Sequence, residues 1–159
     1  MQNVTAYSYA PDFRAFAEAG KKLADLHLNY ESCEKYPLKV EFPNIIHQAD
    51  DNPELYKLTD KAMKIVDDQK RVLAINENVH LSGIPADSWG YVVNGRTPLE
   101  WFMDRYYIKT DKDSGIVNDP NGWFEDPRDI VAAIQRVIYV SVESTWIIDR
   151  LPDEITAET

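Results

Sequence analysis

PRDIVAAIQRVIYVSVESTWIIDRL, residues 127–151, decides what kind of fold this chain makes. Its β-branched residues would suit strands. Yet Ile130, Ile134, Val137, Ser141, Ser144 and Ile148 recur at helical steps, and Ile138, Val142 and Trp146 broaden the stripe. No turn residue interrupts the run after Pro127, so its length favours one long helix with a wide buried face. Such a helix needs apolar partners, and these must lie upstream.

Working outward, TPLEWFMDRYY from Thr97 offers the sharpest local signal. Thr97 suits an N-cap, Pro98 the first helical position and Glu100 the reciprocal partner of a capping box. Before it, Asn94-Gly95 reads as a tight-turn pair closing PADSWGYVV, where Pro85 suits a helix start. RVLAINENVHLSGI alternates as strand, turn, strand, with Val72, Ala74, Val79 and Leu81 on its apolar positions. LYKLTDKAMKIV fits either an amphipathic helix or two strand pieces, and LKVEF, Leu38 to Phe42, fits a short strand bounded by Pro37 and Pro43. Pro11 and Asp12 suit the start of a helix over about 12 to 30, with Phe13, Phe16, Gly20, Leu23 and His27 near one face. The expected fold is α+β: a small antiparallel sheet or meander flanked by helices, with a long C-terminal helix. Residues 1–159 form one expected domain, and the acidic tail 152–159 is expected to fray.

The stretch DRYYIKTDKDSGIVNDPNGW, residues 104–123, has no period running through it and is expected to be a long loop. Its Asp residues invite a calcium reading, which fails. Counting from Asp111, Gly115 falls at the fifth position and Gly122 at the twelfth, where an EF-hand needs an oxygen ligand and a bidentate Glu. The alternative is that these Asp side chains cap turns.

Charge and composition narrow the function. The 159 residues are 44% hydrophobic, enough for one core, and 27 acidic against 17 basic residues give a formal charge of -10. A surface that embraces nucleic acid everywhere is excluded, because phosphate binding depends on neutralising charge. A local contact is not, since residues 56–71 carry Lys57, Lys61, Lys64, Lys70 and Arg71 against three acids. Cys33 has no partner for a disulfide or a zinc site, and Glu31 and Glu34 beside it disfavour a thiolate. There is no cleaved signal pattern and no run of about 18 apolar residues, so a cytoplasmic location without membrane contact is expected. No Walker, GxGxxG, HExxH or GxSxG motif is present. His27, His47 and His80 fall in three different elements. No catalytic or metal-binding residues are assigned.

NGRTPLEWFMDRYYIKTDKDSGIVNDPNGW, with FAEAGKKLADLHLNYE upstream and LSGIP then YVVNGR between, resembles the C-terminal region of type ISP restriction-modification enzymes. The likeness runs from about Phe13 to Leu151. These are large bacterial single-chain proteins joining nuclease, helicase-like ATPase, N6-adenine methyltransferase and target-recognition parts. The resemblance implies a non-catalytic DNA target-recognition module, or its scaffold portion. The methyltransferase Asn-Pro-Pro-aromatic motif is missing, since Asn52-Pro53-Glu54 and Asp119-Pro120-Asn121 do not match it. ATP, Mg2+ and S-adenosylmethionine would then bind elsewhere in the parent protein, with no cofactor here. The implied partners are double-stranded DNA and the methyltransferase and helicase parts. Arg96, Lys109 and Lys112 are the candidate phosphate contacts, and Asn118 and Asn121 the candidate base contacts. The alternative is an intramolecular docking domain that packs on those parts without touching DNA, betrayed by exposed apolar patches.

Overall fold

The computed structural model describes the backbone of residues 2–44 and 52–151, and side chains from residue 14 onward within those ranges. His47 and the tail 152–159 lie outside them. The described elements are α1 (Gln2–Leu28), β1 (Lys39–Glu41), β2 (Lys64–Ile65), β3 (Val72–Ala74), β4 (His80–Ser82), α2 (Pro98–Arg105), β5 (Lys109–Thr110), β6 (Val117–Asn118) and α3 (Asp129–Asp149). The α+β architecture and the long C-terminal helix are as the residue pattern predicts.

β2, β3 and β4 form an antiparallel meander, and β1 joins at the free edge of β4, giving the order β1-β4-β3-β2. Leu73 of β3 and Leu81 of β4 are register partners on one face, and both are fully buried. That face meets Leu99 and Phe102 of α2 and Ile130, Ile134 and Ile138 of α3 in one cluster. The segment before β2 is a 3-10 turn at Pro53–Tyr56 rather than an amphipathic helix, with Asn52 accepting from the Glu54 amide as its cap. Of the two strand pieces that are the other alternative, only one forms among the described residues, β2 at Lys64–Ile65, and it joins the meander.

α3 is long and apolar enough to cross a membrane by length and composition. Its apolar face is explained by the core, however, since Ile130, Ile134, Val137, Ile138, Val140 and Val142 are all buried within the domain. Trp146 and Ile148 depart from expectation, being exposed near the helix end. The Trp146 indole donates to Asp87 Oδ2 at 2.7 Å and carries Arg150 over its ring, so its polar edge has a partner at the surface. Buried hydroxyls on the same helix are likewise satisfied: Ser141 donates to the Val137 carbonyl and Thr145 to the Asp87 carbonyl.

α1 begins at Gln2, so Pro11 lies inside the helix rather than at its start. Its inward side runs through Phe16, Ala19, Leu23 and Leu26, while Gly20 and His27 sit at the margin. The segment after Pro85 makes only a 3-10 turn, Ala86–Trp89, packed under α3. The capping box at Thr97 is complete: Thr97 Oγ1 accepts from the Glu100 amide at 3.3 Å, and Glu100 Oε1 accepts from the Thr97 amide at 3.0 Å. Asn94 and Gly95 both take positive φ, 52° and 86°, in the two-residue turn that bridges Val93 to Arg96.

Candidate nucleic-acid interface

Residues 104–123 are more ordered than a loop. After α2 ends at Arg105, β5 and β6 pair antiparallel, Lys109 opposite Asn118 and Thr110 opposite Val117. The ladder continues toward the tip, where the Asp111 amide donates to the Ile116 carbonyl at 2.9 Å. Two-residue strands are too short to show alternation in sequence, which is why the ribbon is invisible there.

The tip is built by Asp111. Its Oδ1 accepts from the amides of Asp113 and Ser114 at 2.9 and 3.4 Å, and Gly115 supplies the positive φ of 72° that closes the turn. These backbone donors hold the Asp111 carboxyl below the usual carboxylate range. Its charge is thus aimed into its own turn, which is the capping role the calcium reading competed with. Among the described residues, no group of three or more His, Cys, Asp or Glu side chains is gathered as a metal site.

The base of the ribbon is tied from both sides to Leu58-Thr59. The Ile108 amide donates to the Thr59 carbonyl at 2.8 Å. In the 3-10 turn Pro120–Trp123 that follows β6, Asn121 Oδ1 accepts from the Leu58 amide at 2.8 Å and Asn121 Nδ2 donates to the Leu58 carbonyl at 2.9 Å. Asn121 thereby imitates one residue of a neighbouring strand. Beyond these ties every residue from 110 to 119 is exposed, so the ribbon projects from a pinned base.

The five candidate contact residues fall into two groups. Lys112 and Asn118 stand on the projecting ribbon with no side-chain partner among the described residues. Lys109, Arg96 and Asn121 are engaged internally. Lys109 Nζ donates to the Asp104 carbonyl at 2.6 Å and lies over the Tyr107 ring. Arg96 pairs with Asp104 at 3.3 Å and covers the Trp101 ring. The structure therefore does not gather all five into one face, and Asn121 faces the body of the domain.

The upstream cations sit elsewhere. Lys57, Lys61 and Lys64 line a cleft of about 740 Å3 beside β2 with mixed polar and apolar walls, where Lys57 pairs with Glu54 and Lys61 with Glu77. Lys70 lies over the Trp89 ring. Sequence reasoning did not reach the aromatic groove of about 330 Å3 between the three helices, walled by Tyr30, Tyr91, Trp101, Tyr106 and Val140. At its edge His27 Nε2 meets Ser144 Oγ at 3.3 Å and its ring stacks edge-on against Tyr91. Partial burial lowers the His27 pKa. Cys33 is pushed up chiefly by burial, with Glu34 adding to this and Arg136 opposing it, so the carboxylates are not the main cause.

A family model described as the type ISP C-terminal specificity domain matches residues 4–133. The fold is similar to part of the ATP-dependent type ISP restriction-modification enzyme LlaBIII bound to DNA, with a TM-score of 0.71 and 36% identity over 90% of this chain and 9% of that one. A nuclease-deletion mutant of the type ISP enzyme LlaGI, in complex with a DNA substrate mimic, matches with a TM-score of 0.70 and 37% identity, over 89% of this chain and 11% of that one. The DrdV–DNA complex matches with a TM-score of 0.71 and 28% identity, over 92% of this chain and 15% of that one. The chain thus spans well under a fifth of the length of each of these proteins. None of the curated protein sequences matches it.

Proposed function

Because this chain belongs to the type ISP C-terminal specificity domain family, we propose that it is the non-catalytic DNA target-recognition part of a larger restriction-modification enzyme. We further propose that the β5–β6 ribbon is the element that enters the duplex. The observation that carries this is the ribbon itself: ten consecutive exposed residues, 110–119, on a base fixed at two points. The major groove admits a two-stranded ribbon of this width. Lys112, unpaired at the tip, is the leading phosphate contact. Lys109 and Arg96 contribute less, because each must leave an internal partner, the Asp104 carbonyl and the Asp104 carboxylate, to reach a phosphate. Asn118 is the base-reading amide, and Asn121 holds the ribbon in place.

Duplex binding measured by fluorescence anisotropy across a salt series tests this. The logarithm of affinity should fall linearly with the logarithm of salt, and replacing Lys109 and Lys112 by Ala should reduce the slope by about 1 to 2. Absence of binding even at low salt would defeat direct DNA contact by this domain. A second reading, docking against the methyltransferase or helicase part, is favoured by the aromatic groove, whose rim includes the half-exposed Trp101. In that case Trp101→Ala would weaken association with those parts and leave the salt slope unchanged.

A further inference from the structure

Two β-branched apolar side chains stand exposed on the ribbon. Ile116 is 68% exposed and Val117 is 57% exposed. Alternation along a strand sends them to opposite faces. Asn118 lies two residues from Ile116 and so shares its face, and Lys109, as the register partner of Asn118, shares that face too. Thr110 and Val117, register partners of each other, occupy the reverse face.

One face of the ribbon therefore presents an amide and a bare branched alkyl group, with Lys109 beside the amide and its Nζ held on the Asp104 carbonyl. The Asp111 side chain lies across from Ile116 but is curled back onto the amides of Asp113 and Ser114. In the major groove an amide matches the adenine edge, and an apolar side chain matches the only apolar group displayed there, the thymine 5-methyl. Residues two apart on a strand are separated by about 6.8 Å, close to two base-pair steps of about 3.4 Å each.

Resting on the reading of the ribbon as the DNA-contacting element, we infer that Ile116 is a specificity-determining residue that recognises a thymine methyl group. Asn118 addresses an adenine-bearing pair two steps away. The domain then selects duplexes containing thymine at a fixed position, and does so through a methyl group rather than a hydrogen bond.

The test begins with a random-sequence duplex pool enriched on the 159-residue chain. The enriched duplexes are synthesised again with uracil in place of thymine, which removes only the methyl groups. Wild type should bind the uracil form roughly fourfold less tightly for each thymine contacted. Ile116→Ser should bind both forms equally, Ile116→Val should retain part of the difference, and Val117→Ser should retain all of it. Equal binding of the two forms by wild type, or an undiminished preference in Ile116→Ser, would overturn the inference while leaving DNA recognition by the ribbon intact. Failure to enrich any duplex would overturn both.

Discussion

Replacing Asn121 by Ala tests the ribbon's anchor. The substitution removes the acceptor of the Leu58 amide at 2.8 Å and the donor to the Leu58 carbonyl at 2.9 Å. Leu58 is only 3% exposed, so its two backbone groups are left short of partners where water has limited entry. Each unpaired buried group costs about 1–3 kcal/mol, and partial access of water at Asn121 brings the expected sum to about 2 kcal/mol. For a domain of this size that corresponds to a fall in Tm of about 4–8 °C. Thermal unfolding followed by circular dichroism would measure it. Asn121→Asp should do no better than Ala, because it sets a carboxylate oxygen against the Leu58 carbonyl. A Tm within about 1 °C of wild type, together with lost DNA affinity, would refute the clamp and return Asn121 to the base-contacting group.

Three further substitutions and conditions follow from the packing. Gly90→Ala places a Cβ 2.8 Å from Thr145 Cγ2, and Thr145 is held by its bond to the Asp87 carbonyl. A loss of about 1–3 kcal/mol is expected, read as a lower urea midpoint at unchanged m-value. Thr97→Ala removes one bond of the capping box and frees the other, for about 1 kcal/mol in the same assay. The lowered pKa of His27 means that the unfolded chain binds its proton more readily, so the stability this group contributes is full above the unfolded value. It is lost as pH falls through the lower folded value, and His27→Gln should flatten that part of a stability-versus-pH curve measured by urea unfolding.

Where sequence and structure agree, a single residue type at a single position carries a strong physical preference. Thr97, Pro98 and Glu100 are legible because a capping box needs those side chains at that spacing, and Asn94-Gly95 because positive φ at two successive residues excludes most alternatives. α3 is legible in the middle, where burial follows the stripe. It is illegible at Trp146, because an indole with its own acceptor in Asp87 does not need the core. The ribbon was hidden for a different reason. Lys109-Thr110 and Val117-Asn118 are too brief to display a period, and the bonds that position them run to Leu58 and Thr59, about fifty to sixty residues away in sequence. Asn118 and Asn121 look alike in the sequence, and only the fold separates an amide facing solvent from one facing Leu58.

The placement of α3 has a consequence for how the chain reaches its native state. α3 is the last of the described elements, yet it is the one against which α1, α2 and the Ala86–Trp89 turn all pack. During synthesis the meander can close through nearby residues and α2 can meet its apolar face, but the cluster is completed only when residues 130–145 have left the ribosome. Contacts between distant parts of the sequence slow folding because loop closure must precede them. The core therefore closes late, and a nascent chain cut short before α3 would leave the side of the Leu73, Leu81 and Leu99 cluster that α3 covers open to solvent and to aggregation.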